Sequence, residues 1–431
     1  MAHRYIAPAM FLLLLLSMWV PAEELKLPAW TEQARYLVFL MLSGWIVVVA
    51  FIKVGLRIPS GIECTLLAAF LLYVSFSAVW GVQSADSYIK AILIFNALVT
   101  SLAIANTLTL EQSLRVMFAA LSTFVVVCVL VALLVPSIGV DSSWEHAGKW
   151  RGIAGQKNGL AAYAAYALIA GVGLPLRQRV TPLAQWGALV GRIAMVGIAL
   201  LAVYMAGSRG GQLISVLGVA SIVISRLPKL LQRLALLTGL LFAIPIINLV
   251  STTFVVDADK IGVAGITVDT NSRMKIWSYG FRELQGREIF GFGLDSFWTP
   301  ERLTSFKSVY GWVLDNFHNG YITLIIEGGI AGFLLFLAAL SATYLLLVVS
   351  VGNVRDKFIG LSFAYVNMYT VNNLVENEIG RSTSLLIFIF LILVFSIRRQ
   401  VYQHYPGLQK ADAAYLHGGV RVHRGRLPAS T

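Results

Sequence analysis

The chain has 431 residues, of which 58% are hydrophobic and only 13% charged, with a mean hydropathy of +0.78. A water-facing surface needs more charge than this, so a soluble globular protein is excluded. In such a chain the net charge of +12 is first a topology signal and second an attraction for anionic lipids or phosphorylated substrates, and no nucleic-acid partner is expected.

Apolar runs near the ~20 residues needed to cross a bilayer recur along the whole length. They predict an all-α, polytopic integral membrane protein with about twelve spans, at 6–21, 36–52, 61–80, 88–106, 116–135, 158–175, 187–205, 210–225, 234–251, 329–350, 358–374 and 383–397. The first run reads as a retained span, because Val20-Pro21-Ala22 is a poor signal-peptide cleavage site. The inside loops carry Lys53 and Arg57, Arg115, Arg177 and Arg179, Arg226, Lys229 and Arg233, Arg355 and Lys357, and Arg398 and Arg399. That bias places both termini in the cytoplasm. Residues 1–400 are expected to form one transmembrane domain, and 401–431 a poorly ordered basic tail. Two loops remain outside, 136–157 and the longer 252–317, the latter containing short helices. Cys64 and Cys128 both lie inside apolar runs, which indicates neither a disulfide framework nor a metal cluster.

Cations on the outer side run against this bias. Lys149, Arg151 and Lys157 cluster before Asn158 at the entrance to the sixth span. The tight turn Ala206-Gly207-Ser208-Arg209-Gly210-Gly211 holds another. Arg209 either snorkels to lipid phosphates or grips a substrate phosphate with its bidentate fork. The turn is not a nucleophile elbow, since Ala206 stands where GxSxG needs glycine. Residues 271–284 read as an amphipathic helix with Trp277, Gly280, Phe281 and Leu284 on one face and Arg273 in its first turn. It either lies on the bilayer or presents Arg273 to phosphate. Gly291-Phe292-Gly293 is a glycine turn rather than a nucleotide loop, because no GK[ST] helix follows.

Five of the six histidines fall in a terminus, a loop or the tail; His318 stands at the mouth of a helix on the outer side, beside Asp315. A lone histidine there is either a hydrogen-bonded structural residue or a base that titrates near neutrality. Glu327, Glu376 and Glu378 are the carboxylates available to orient it, and the sequence does not choose among them.

Together, His318-Asn319 followed by Gly329 and Gly332, the turn Ser208-Arg209-Gly210, the segment Arg273 to Trp277, the turn Gly291-Phe292-Gly293 and the stretch Gly155 to Asn158 resemble the pattern of the O-antigen ligase / O-antigen polymerase superfamily. The resemblance covers essentially the whole chain and is closest to the ligase branch. It implies a multi-pass enzyme of the bacterial inner membrane, with its site facing the periplasm. Such an enzyme moves O-antigen from undecaprenyl diphosphate to lipid A–core sugars. On this resemblance His318 falls on the catalytic histidine, and Arg209 and Arg273 on the diphosphate-binding arginines. Arg151, Lys157, Asn158, Asn319, Glu376 and Glu378 are candidate substrate contacts. No metal and no cofactor is expected. The related alternatives are an O-antigen polymerase or a protein O-oligosaccharyltransferase; from another class, a transporter of lipid-linked glycan fits the outer cations less well.

Overall fold

A computed structural model describes residues 2–18, 28, 30–81, 85–143, 146–176, 181–228, 230–232, 260–263, 266–269, 271–312, 316–353, 356–381 and 384–404. The predicted span 234–251, Asp315 and the tail beyond 404 lie outside them. In chain order the described helices are α1 (His3–Ser17), α2 (Trp30–Val54), α3 (Ile62–Phe76), α4 (Ala85–Thr107), α5 (Leu110–Leu134), the single turn α6 (Pro136–Gly139), α7 (Lys157–Gly173), α8 (Pro182–Ala206) and α9 (Arg209–Arg226). After the long connection come α10 (Asn271–Glu283), α11 (Pro300–Tyr310), α12 (Gly320–Asn353), α13 (Lys357–Asn372) and α14 (Leu385–His404).

The fold is all-helical as expected but for one short element. Lys260–Val263 and Ile266–Asp269 pair as a two-stranded antiparallel hairpin in the connection before α10. The β-branched residues Ile261, Val263, Ile266, Thr267 and Val268 favour extended backbone there.

Among the described residues, six helices are long and apolar enough to cross a bilayer: those containing 33–54, 62–80, 87–107, 110–134, 182–206 and 320–348. Their outer faces stay apolar and exposed, as Met41, Trp45, Val48 and Ile52 show on α2. The helices at the other predicted spans are shorter or more polar. α1, α7 and α13 have 15, 17 and 16 residues, and α9 carries Arg209 and Arg226 at its two ends. α14 forms the centre of the bundle, with every side chain from Leu385 to Ile397 buried. A helix apolar on all sides belongs inside the protein. α7 packs between α8 and α9, α13 lies against α9, and α12 lies against α3.

Several helices start before the predicted spans, and two of these shifts have a clear local cause. α5 begins at Leu110 because Thr109 and Gln112 form a reciprocal capping box. α12 begins at Gly320, nine residues before the predicted span, and breaks at Gly329 (φ 65°, ψ −176°). A break frees backbone groups that must find partners. The segment after α10 supplies them. Phe292 N–H donates to the Ile326 carbonyl (3.0 Å) and Gly293 N–H to that of Glu327 (2.8 Å); Ile330 and Ala331 N–H donate to the carbonyls of Glu288 (2.8 Å) and Ile289 (3.1 Å). The Tyr73 hydroxyl caps the Gly328 carbonyl at 2.6 Å. Close approach leaves no room for side chains: a Cβ on Gly329 would sit 2.2 Å from the Ile289 oxygen, and one on Gly291 2.5 Å from that of Glu327. The glycine turn is therefore a splint for the broken helix.

α10, α11 and the first half of α12 enclose a second, mainly aromatic core of Ile276, Tyr279, Phe292, Phe297, Phe306 and Phe317. The region before α12 is thus a packed layer over the bundle, and it fixes the approach to His318.

Candidate functional site

His318 is the residue before the helix cap of α12, in a left-handed conformation (φ 49°). That conformation is uncommon without glycine, and the neighbours hold it. Its N–H donates to Asn316 Oδ1 at 3.0 Å. The Trp277 indole donates to the preceding Phe317 carbonyl at 2.8 Å, and Arg273 reaches the His318 carbonyl at 3.5 Å. α10 therefore pins the backbone of the histidine from one side.

Asn319 anchors it from the other. Its Oδ1 accepts from Tyr321 N–H (3.0 Å) and Ile322 N–H (3.1 Å), capping α12, while its Nδ2 donates to the Leu374 carbonyl (3.1 Å). Gly320 N–H donates to the carbonyls of Asn373 (2.8 Å) and Glu376 (3.0 Å). Asn373 organises the α13–α14 loop in turn, its Oδ1 accepting from the backbone of Glu378 (2.9 Å) and Ile379 (3.0 Å). A Cβ on Gly320 would lie 2.3 Å from this oxygen, so glycine there lets the two segments dock.

Docking brings a carboxylate to the histidine. Glu376 Oε2 lies 4.0 Å from His318 Nδ1, a buried nitrogen with no hydrogen-bond partner among the described residues. The other oxygen, Oε1, accepts from Asn158 Nδ2 at 2.7 Å. Glu376 is held from α7 while it faces His318. The other two candidate acids are turned elsewhere. Glu378 accepts from the Ser384 hydroxyl, and burial raises its carboxyl above the ordinary value. Glu327 accepts from Asp295 N–H at 3.1 Å, beside the splint.

Arg209 is the first residue of α9, exposed, and bonded to no partner among the described residues. Left-handed Gly207 ends α8, and Ser208 Oγ caps α9 by accepting from Gly211 N–H (3.3 Å). A Cβ on the next residue, Gly210, would touch Val375 at 3.0 Å, so the turn packs against the neighbour of Glu376. Lys149 lies over Gly207, 2.8 Å from where its Cβ would be. Lys157 Nζ is 3.3 Å from His146 Nδ1. Arg151 faces the loop itself, its Nε donating to the Ile138 carbonyl (3.0 Å).

Beside the histidine, a cavity of about 300 Å³ is lined by Asn316, Phe317, Asn377 and Arg381 together with Asp295 and Glu327. Lys90 and Asp295 form an ion pair at its rim. Lys90, Asn373 and Arg381 carry no signal in the sequence, because α4, the α13–α14 loop and the splint meet only in the folded chain. Among the described residues no three of His, Cys, Asp and Glu converge on one point.

Residues 194–337 match the O-antigen ligase family. The matched stretch runs from the middle of α8 to the middle of α12 and takes in Arg209, Arg273, His318 and the splint. The match covers about a third of the chain and supports the likeness to the O-antigen ligase superfamily. Members of that family are glycosyltransferase-like enzymes of O-antigen processing, and the apolar helices make this chain a membrane protein. No curated protein matches the chain.

Proposed function

We infer that the protein is an O-antigen ligase of the inner membrane, joining lipid-linked O-antigen to a sugar hydroxyl of lipid A–core at its periplasmic face. The observation that carries this reading is the approach of His318 Nδ1 to Glu376, with Arg273 at the same histidine and the Arg209 turn against Val375. With its Nδ1–H directed at Glu376, the imidazole keeps the Nε2 lone pair for the acceptor. The 4.0 Å separation is looser than a working hydrogen bond, and catalytic contacts commonly tighten when substrate binds.

In this mechanism an acceptor hydroxyl, entering by the cavity of Asn316, Asn377 and Arg381, attacks the anomeric carbon of the donor. The new C–O bond forms as the bond to diphosphate breaks. The hydroxyl proton passes to His318, and the electron pair leaves on undecaprenyl diphosphate. In-line attack inverts the anomeric centre. Arg209 and Arg273 stabilise the charge growing on the diphosphate, a role in which preorganised cations are effective. Glu376, held by Asn158, stabilises the imidazolium; Asn319 sets the position of His318 through its cap. Lys157 adds positive potential. Holding two membrane-anchored reactants side by side supplies the entropic part of the acceleration.

The test is a lipopolysaccharide gel from cells lacking the protein, complemented with wild type or His318→Ala. The expected result is bare lipid A–core in the deletion, with long glycan accumulating on the carrier, and a ladder restored by wild type alone. Core capped with a single repeat unit would make the protein a polymerase, and an unchanged ladder would remove both readings.

A further inference from the structure

At the end of the bundle opposite His318, a pocket of about 340 Å³ lies between the α7–α8 connection and the helices α8, α9 and α13. Its position follows from helix direction. α7, α9 and α13 each have one end at the site, through Asn158, Arg209 and the loop to Glu376, and the other ends, at Gly173, Arg226 and Lys357, border this pocket. Helices of 16 to 18 residues place the two about 25 Å apart.

Three cations from three helices line it: Arg192, Arg226 and Lys357. Among the described residues no carboxylate does. The nearby acids are engaged elsewhere: Asp356 caps Phe358 N–H at 2.7 Å and accepts from Gln400, and Glu111 pairs with Arg115 at 2.8 Å. Arg226 and Lys357 are exposed and have no bonded partner among the described residues.

The usual inside bias puts cations at helix ends, and accounts for Arg226 and Lys357. It does not account for Arg192. This residue lies ten positions past Pro182 in an apolar 25-residue helix, about 15 Å along its axis. It reaches the pocket at the level of Gly173, Arg226 and Lys357, and a cation in the interior of an apolar helix calls for a partner. One of its N–H groups donates to the Leu174 carbonyl, which fixes the guanidinium and leaves the rest of its fork for another acceptor. Around it α8 turns Leu183, Trp186, Val190 and Ile193 outward, an apolar surface that acyl chains would cover.

We propose that this pocket binds the phosphate headgroup of an anionic phospholipid, the phosphodiester among Arg192, Arg226 and Lys357 and the acyl chains along α8. Nothing in it depends on the reaction at the opposite face.

The test uses the full-length protein purified in a neutral detergent. Retained lipid is measured by native mass spectrometry after adding phosphatidylglycerol or phosphatidylcholine at equal mole fraction. Wild type is expected to retain the anionic lipid preferentially. Arg226→Gln combined with Lys357→Gln, both exposed positions, should lower that retention roughly 10- to 30-fold, as two lost juxtamembrane charges imply. Its melting temperature should match wild type. Equal retention of the two lipids by wild type, or equal phosphatidylglycerol retention by wild type and the double variant, overturns the proposal. Displacement of phosphatidylglycerol by inorganic phosphate at the same concentration would make this a free-anion site and equally refute a lipid site.

Discussion

His318 and Glu376 are 58 positions apart, and their pairing rests on a short list of polar contacts. Glu376 has one oxygen toward Nδ1 and one on Asn158, so a change that removes its charge while keeping its shape isolates the orienting role. Glu376→Gln should lower kcat for transfer by about tenfold or more, equivalent to ~1.4 kcal/mol in the transition state. Steady-state kinetics on detergent-solubilised enzyme measures this, and a kcat equal to wild type would detach Glu376 from the mechanism. Arg209 sits at a helix start with its guanidinium free among the described residues. Arg209→Ala should reduce kcat at saturating donor by about 10²–10³-fold, the scale of one lost charge-stabilising donor. Arg209→Lys should recover only part, since a point charge does not reproduce the bidentate fork. A rise in KM alone would assign Arg209 to ground-state binding.

Among the elements, the break in α12 and its splint decide the shape of the site. Gly329 combines φ 65° with ψ −176°, a region essentially reserved for glycine, where any other residue is strained by about 1–3 kcal/mol. The contact with the Ile289 backbone adds to that strain. Gly329→Ala is therefore expected to lower the melting temperature clearly and to reduce folded yield, followed by fluorescence-detected size exclusion on heating. An unchanged melting curve would show that the splint is not needed. The same packing explains why predicted boundaries moved. Hydropathy locates apolar runs, and Glu327, Gly328 and Gly329 interrupt the one that starts at Tyr321; Ile322 and Ile326 of that half-helix pack into the aromatic layer of Phe292, Phe297 and Phe317. The hairpin at 260–269 was missed for a related reason: strands of four residues each are too short to stand out beside long helical periodicity.

For the whole molecule, the proposed reaction uses fixed cations where many glycosyl transferases use a divalent ion. Transfer assembled from purified donor, acceptor and enzyme should proceed equally after EDTA treatment. Loss of activity with recovery on adding Mg²⁺ would transfer the charge-stabilising role from Arg209 and Arg273 to a metal. Composition alone determined the membrane class, because 13% charge does not cover a soluble surface, and the short motifs around Arg209, Arg273 and His318 pointed to one superfamily. Which residues meet was decided by the fold. Three carboxylates stood open as partners of His318, and the docking of Gly320 on Asn373 brought Glu376 to it while Glu378 and Glu327 took other partners. The gathering of Arg192, Arg226 and Lys357 around one pocket was equally hidden. Side-chain type and helical period are local properties written along the chain, whereas proximity between distant residues exists only once helices have packed.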